Sequence, residues 1–293
     1  MNEVISSLTS AFTLAFVITS MFGLGLSMTI RDIIQPLTNV RLVLMALLAN
    51  FVIIPALAFI LTRVLSLEQD LAIALVLLGT VAGAPLTIRA SQIARGDMHF
   101  AGALVILQVL VTVVYLPFVL PLLIPGIEVD TVAIAMQLIV QVLLPLAAGL
   151  LMNYRYDEEA EMTRPLMTEI SNISLAVMIV LILGNIGQVI GFIGTGSILA
   201  VLAVVVVGFV VGYVLGGSEV ATKRVLSIGT AQRNYAAALV IATDNFADQP
   251  NVLLLLLAAS LISIILAMIV AGEFGRRAKA SEVPAVEKVP DKA

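Results

Sequence analysis

Two arginines, Arg89 and Arg233, stand inside stretches that are otherwise apolar. A charge near the centre of a bilayer costs about 2.5–3.5 kcal/mol on insertion scales, so each needs a reason to be there. Arg233 lies about 12 residues from either end of its apolar run, which at ~1.5 Å per residue is roughly 18 Å of depth, too far for easy snorkelling. Arg89 lies six residues before Arg95, about 9 Å along a helix, so snorkelling accounts for it as readily. A guanidinium is a planar, permanently charged fork that matches a carboxylate or sulfonate. Polar residues gather beside both arginines: Thr87, Ser91 and Gln92 near the first, Gln232 and Asn234 near the second. Arg233, Arg89, Gln232, Asn234, Thr87 and Ser91, with Asn50 on a neighbouring run, are the candidate substrate or pathway contacts. The competing reading is structural: each arginine caps carbonyls freed where its own helix is interrupted.

Other chemistries find little material. There is no cysteine and one histidine, which excludes disulfides, thiolate metal sites and an HExxH metal pair. An aspartyl dyad would need two acids in mid-run, and none is present there. The chain is therefore not expected to be an enzyme. A sensor or assembly module would want a sizeable soluble domain, and the longest inner loop spans only about 153–166.

The elements that position these groups are membrane helices. Hydrophobic residues make up 61% of the 293 positions and charged residues 12%, with a mean hydropathy of +1.14. A soluble domain is about 25% charged; this chain cannot cover a water-facing surface. The apolar runs reach the ~20 residues a helix needs to span a bilayer, without the roughly 10-residue alternation of barrel strands. The expected fold is an all-α integral membrane protein of about nine transmembrane helices, at 8–29, 38–63, 70–95, 98–124, 131–153, 166–190, 195–217, 221–246 and 250–272. The first run has no Lys or Arg before it and is expected to be a retained span rather than a secretory signal. Residues 273–293, charged and carrying Pro284 and Pro290, are expected to form a disordered tail.

Basic residues set the orientation. With the N-terminus outside, only Arg63 of the 15 Lys and Arg falls on the outer side. Arg89 and Arg233 fall within spans, and all the others gather inside with the C-terminal tail. Glu128, Asp130 and Asp248 leave the outer loops acidic. A multi-pass protein of the cell inner (plasma) membrane is expected, with the lipid bilayer as its surroundings and no nucleic-acid partner.

Spans three and eight look broken. The third carries Gly79, Gly83 and Pro85, and the eighth carries Gly229 just before Gln232. Proline removes a backbone donor and glycine lets the chain open. Irregular backbone at membrane depth survives only where it lines a cavity or is buried in protein. The two spans lie about half a chain apart and run in opposite directions. Each is followed by a short polar link, Arg95-Gly96-Asp97 or Asp248-Gln249-Pro250, and then by one long apolar span. Paired broken helices in inverted repeats point to the binding site of a secondary transporter.

The motifs and their order resemble the bile acid:sodium symporter family. Gly23-Leu24-Gly25-Leu26-Ser27-Met28 with Asp32, Asn50-Phe51 with Pro55, Ala94-Arg95-Gly96-Asp97, and Ala231-Gln232-Arg233-Asn234-Tyr235 carry the resemblance. It implies a panel domain (8–29 and 131–190) and a core domain (38–124 and 195–272) with two crossing broken helices, in a nine-span form. It also implies a small organic anion as substrate. Sodium-coupled members hold a Glu where this chain has Ile228, a Ser-Asn pair where it has Thr87-Ile88, and hydroxyl ligands where it has Ala101 and Val105. Asn50, Gln232 and Thr87 remain as residual sodium candidates, so no complete sodium site and no other cofactor is expected. Arg89 and Arg233 are expected to supply the missing positive charge, with sodium-coupled anion symport as the alternative. Gln108, Gln137, Gln141, Asn172, Asn185 and Gln188 read as interhelical hydrogen-bonding residues. His99 and Asp244 read as solvated helix ends, with a gate as the other option for Asp244.

Overall fold

The computed structural model describes residues 3–29, 31, 34, 38–124, 130–183 and 186–282. Among these the chain is helical with no strand. Six helical segments are long and apolar enough to cross a membrane: Leu8–Leu26, Val40–Val64, Met98–Leu123, Thr131–Arg155, Ser197–Leu215 and Pro250–Ala280. They coincide with the first, second, fourth, fifth, seventh and ninth expected runs. The third and eighth runs are each divided into two shorter helices. The sixth is carried by α9 and α10, separated by 184–185, which lie outside the described residues together with Asn185 and Glu128.

In chain order the helices are α1 (Glu3–Leu26), α2 (Val40–Leu48), α3 (Ile54–Val64), α4 (Gln69–Thr80), α5 (Leu86–Ile93), α6 (Met98–Leu123) and α7 (Thr131–Leu138). There follow α8 (Leu144–Arg155), α9 (Asp157–Leu183), α10 (Ile186–Gly194), α11 (Ser197–Leu215), α12 (Val220–Ala231), α13 (Tyr235–Asn245) and α14 (Pro250–Glu282). Single π-turns, Ala49–Ile53 and Ile139–Leu143, join α2 to α3 and α7 to α8.

The first π-turn has a local cause. Pro55 has no N–H to give the carbonyl four residues back, that of Phe51. The N–H of Ile54 reaches past its usual partner to Ala49 O. The carbonyls of Asn50 and Phe51 are thereby released from the helix. Tyr115 Oη donates to Phe51 O at 2.8 Å; Asn50 O has another use, described below.

Helices α1, α8 and α9 form one group. Gly25 and Gly149 sit at the α1–α8 crossing, where a Cβ on either would collide with the other helix's backbone, at Leu146 O or Phe22 O. Asn153 Nδ2 ties the pair by donating to Met28 O at 2.9 Å. The remaining long helices surround α4, and α13 lies among α1, α4, α7 and α14. Leu71 and Ile73 to Thr80 are buried on α4, and Tyr235 to Ala242 on α13, so both are apolar on all sides, as interior helices must be.

Both expected breaks are present. Residues 81–84 leave the helix between α4 and α5. Gly83 takes φ +92°, and a Cβ there would come within 2.7 Å of Val109 N and 2.8 Å of Val105 O, so this corner of the chain demands glycine. Thr112 on α6 serves the buried peptide of Ala82 both ways: its hydroxyl accepts from Ala82 N at 3.0 Å and lies 3.2 Å from Ala82 O. The second break differs from expectation. Gly229 lies inside α12, and the interruption falls at 232–234. There Asn234 turns its side chain back to cap α13, accepting from Ala237 N at 3.1 Å. The half-helices are neighbours, α4 beside α13 and α5 beside α12. Arg224 Nη1 on α12 donates to Ala94 O and Arg95 O, at 3.4 and 3.2 Å, just past the end of α5.

The tail expected from Glu273 onward is helical as far as Glu282. Glu273 pairs with Arg276 at 2.7 Å and with Arg277 at 2.6 Å, one turn on, a spacing that supports helix in water. Residues 283–293 lie outside the described residues.

Candidate functional site

Arg233 is 0% exposed and sits in the second break. Its guanidinium has five N–H donors, and oxygens of the protein surround them. Nε donates to Leu78 O at 3.0 Å. Nη1 donates to Asn50 Oδ1 at 2.9 Å and to Thr230 O at 3.3 Å. Nη2 donates to Gly79 O at 2.6 Å and to Asn50 O at 3.4 Å. Each oxygen is available for a reason. Leu78 and Gly79 close α4, where terminal carbonyls lack helical partners. Asn50 O is released by the π-turn. The amide of Asn50 is held by its own donations to Ala46 O at 2.9 Å and Thr230 Oγ1 at 3.2 Å. None of the five oxygens bears a formal charge, so dipoles alone, including the negative end of α4, face this cation.

The neighbouring side chains anchor the break to α14. Gln232 Nε2 donates to Ser263 O and Ser263 Oγ, both at 2.8 Å. Tyr235 Oη donates to Ala259 O at 3.0 Å. Gln108 Nε2 on α6 lies 3.4 Å from Gly229 O.

A cavity of about 810 Å³ opens beside this joint. Its walls come from α1, the first break with α5, the start of α9, the second break and α14. Its charged lining residues are Arg89, Arg164, Glu169 and Arg233. Arg233 reaches it with no donor to spare. Arg89 is exposed, and among the described residues nothing accepts a hydrogen bond from it. The candidate residues therefore separate. Arg89, Gln232 and Arg233 line the cavity. Thr87 and Ser91 are on the opposite, buried face of α5, and among the described residues Thr87 Oγ1 and Ser91 Oγ have no hydrogen-bond partner. Asn50 and Asn234 are also behind the wall, one holding Arg233 and the other capping α13. Of the three residual sodium candidates, Asn50 has its Oδ1 already accepting from Arg233.

Several lining residues escape sequence reasoning. Thr19, Ser20 and Ser27 of α1, Thr168, Glu169 and Asn172 of α9, and Ser260 of α14 all face the cavity. Hydroxyls are common in membrane helices, and only the packing of α1 against α9 brings these together. The sole signal was their recurrence on one side of the first span.

At the far end of α13 a polar cluster links it to α7 and the second π-turn. Gln137 donates to the carboxylate of Asp244 and to Val240 O at 2.9 Å. Gln141 Nε2 donates to Asp244 Oδ2 at 3.3 Å, and Asn245 Nδ2 to Gln137 Oε1 at 2.9 Å. Asp244 is nine residues beyond Tyr235, roughly 13 Å along the helix. Gln137 and Gln141 are thus interhelical bonds, and Asp244 is their acceptor. Among the described residues no group of His, Cys, Asp and Glu could hold a metal ion.

The model of the Sodium Bile acid symporter family matches residues 14–194, a stretch that includes Arg89 and stops before Arg233. A protein of Arabidopsis thaliana, "Probable sodium/metabolite cotransporter BASS1, chloroplastic", is 26% identical over 274 residues, 92% of this chain and 68% of the relative.

Proposed function

Because the chain belongs to the sodium bile acid symporter family, we propose that it is a secondary transporter of a small organic anion whose fixed positive charge is the buried guanidinium of Arg233. Transport proceeds by alternating access in a nine-span inverted repeat. The group of α1, α7, α8, α9 and α10 moves as a panel against the core of α2 to α6 and α11 to α14. The anion binds in the cavity beside the two breaks, in direct contact with Arg89 and in the field of Arg233.

The observation that carries the reading is the set of five protein oxygens around Arg233. Uncharged oxygens converging from two broken helices and a π-turn make the kind of environment that holds a hard cation. Here a tethered cation occupies it. A second, mobile cation close by would be repelled: at about 6 Å and an effective dielectric near 20 the cost is ~3 kcal/mol, over a hundredfold in affinity. An anion would be attracted by a similar amount. The position that a sodium-coupled relative would fill with a carboxylate is Ile228, fully buried among apolar neighbours.

A second reading, sodium-coupled symport, is favoured by the name of the Arabidopsis relative and by the side-chain oxygens of Thr87 and Gln108, which have no partner among the described residues. Uptake of a panel of radiolabelled organic acids into proteoliposomes, with sodium or with choline outside, separates the two. Uptake should be equal in both media. Loss of most uptake in choline would overturn the tethered-cation reading in favour of the second.

A further inference from the structure

We propose that Glu169 is a tethered stand-in for the transported anion: in the empty protein its carboxylate pairs with Arg89 as the cavity closes, and so lets the unloaded carrier return. This rests on the transporter reading, with α9 in the panel and α5 in the core, and adds a step of the transport cycle to the same cavity.

Three charged side chains of the cavity lining are not engaged by the protein. Arg89 on α5 and Arg164 and Glu169 on α9 are exposed. Among the described residues, none of the three side chains makes an ion pair or a hydrogen bond. The fourth charge, Arg233, has its donors committed to five protein oxygens. Arg89 and Glu169 thus bring opposite charges into one cavity from the two bodies that move. Arg164 and Asn172 line the same side of α9 as Glu169, five residues before it and three after it. Both travel with Glu169, so neither distinguishes one orientation of the panel from the other. Arg89 is the cation whose distance from Glu169 changes as panel and core shift.

Closing the cavity takes water from the charges left inside. A guanidinium sealed without a counter-charge loses its hydration and gains nothing in return. In the loaded protein the anion supplies that counter-charge to Arg89, and Glu169 is left to Asn172 and Arg164 of its own helix. In the empty protein Glu169 supplies it, held on the facing wall at a high effective concentration. Arg89 is then compensated in both closed forms, and the carrier passes between its orientations with or without cargo. Without the Glu169 carboxylate the carrier must return loaded, which exchanges one anion for another and gives no net entry.

The test uses proteoliposomes given labelled hexanoate, butanedioate or benzenesulfonate, with the same unlabelled anion inside for exchange or with none for net entry. Potassium with valinomycin holds the membrane potential at zero, and protein-free liposomes give the leak. The ratio of net entry to exchange is read within each preparation, so the amount of folded protein cancels. The unmodified protein should show both activities. Glu169→Gln should lower the ratio by about tenfold or more, because the empty form then closes on an unpaired guanidinium. Glu169→Asp, which keeps the charge on a shorter arm, should recover part of it. Arg164→Gln burdens only the loaded form and should not lower the ratio. An unchanged ratio in Glu169→Gln, or one that Arg164→Gln lowers as far, overturns this inference and leaves the transporter reading standing. So does an unmodified protein that exchanges without net entry. Entry of all three anions no faster than the leak, under both conditions, overturns the transporter reading and this inference with it.

Discussion

Arg233 Nη2 lies 2.6 Å from the carbonyl oxygen of Gly79, so a side chain from the second break closes the helix that ends at the first. The two residues are 154 positions apart. Their contact makes each break depend on the other: without the guanidinium, the last carbonyls of α4 lose their donors, and without the release of α4 at residues 81–84, Arg233 loses its acceptors. A helix end buried without partners is costly. The joint is therefore a structural element and an electrostatic one at once.

The first prediction follows from that double role. Arg233→Ala should lower thermal stability by several kcal/mol and abolish anion uptake, because several charge-assisted hydrogen bonds go together, each worth about 1.5–3 kcal/mol. The cage of oxygens would remain. Guanidinium ion added at low millimolar concentration should then raise the thermal midpoint of Arg233→Ala and not that of the unmodified protein. Arg233→Lys should recover only part of the stability, since one ammonium cannot address five divergent oxygens. A midpoint in Arg233→Ala that is insensitive to guanidinium would show that the cage collapses or was never cation-selective.

Much of this arrangement was legible in the sequence, and the limits were physical. Charge in an apolar run cannot pass unnoticed, so Arg89 and Arg233 stood out, and Pro85 with Gly83 marked the first break through backbone chemistry alone. Gly229 misled because glycine permits an interruption without requiring one: here it gives α12 room beside Leu104, which a Cβ would approach to 2.7 Å. The true break at 232–234 is set chiefly by what Gln232 and Arg233 bond to on α14, α4 and the first π-turn, and those partners are far away in the chain. For the same reason sequence could not decide which face of α5 looks into the cavity. Thr87 and Arg89 are two residues apart and point to opposite sides, a distinction that only the neighbours of α5 settle.

The second prediction concerns the π-turn. Tyr115→Phe should cost about 1–2 kcal/mol of stability, since it leaves Phe51 O buried without its donor. In a Pro55→Ala background the new N–H can serve Phe51 O, so the same change should cost much less. The double-mutant cycle between residues 55 and 115 therefore carries a coupling of about 1 kcal/mol. Additive effects within about 0.3 kcal/mol would mean that Pro55 does not set the turn.

The third prediction addresses the α1–α8 contact. Gly149→Val should force the helices apart, because its side chain would begin inside the backbone of Phe22 to Leu26. Overpacking a close crossing costs about 1–3 kcal/mol or more. The cavity wall carrying Thr19, Ser20 and Ser27 moves with α1, so uptake should fall more than the midpoint does. The control is Gly191→Val on α10, where a Cβ meets nothing within 4 Å; the contrast fails if both substitutions destabilise alike.

The last prediction concerns the cluster at the far end of α13. Gln137 and Gln141 belong to the proposed panel, Asp244 and Asn245 to the proposed core, and the cavity opens at the other end of the same helix. If panel and core move against each other, these bonds must break each time the site turns to the opposite side. Asp244 offers one carboxylate to two amides, a charge-assisted latch worth more than a neutral pair, yet exposed enough for water to replace it. Asp244→Ala should then favour the alternative orientation, changing the rate of uptake without loss of fold. The absence of cysteine permits a direct trap. With Gln137→Cys and Asn245→Cys together, a short bifunctional thiosulfonate should join the two helices and cut uptake by tenfold or more, with recovery on reduction. Each single cysteine treated alike should keep its uptake. Full transport with the two helices covalently joined would mean that this end of the protein never opens, and the division into panel and core would have to be drawn elsewhere.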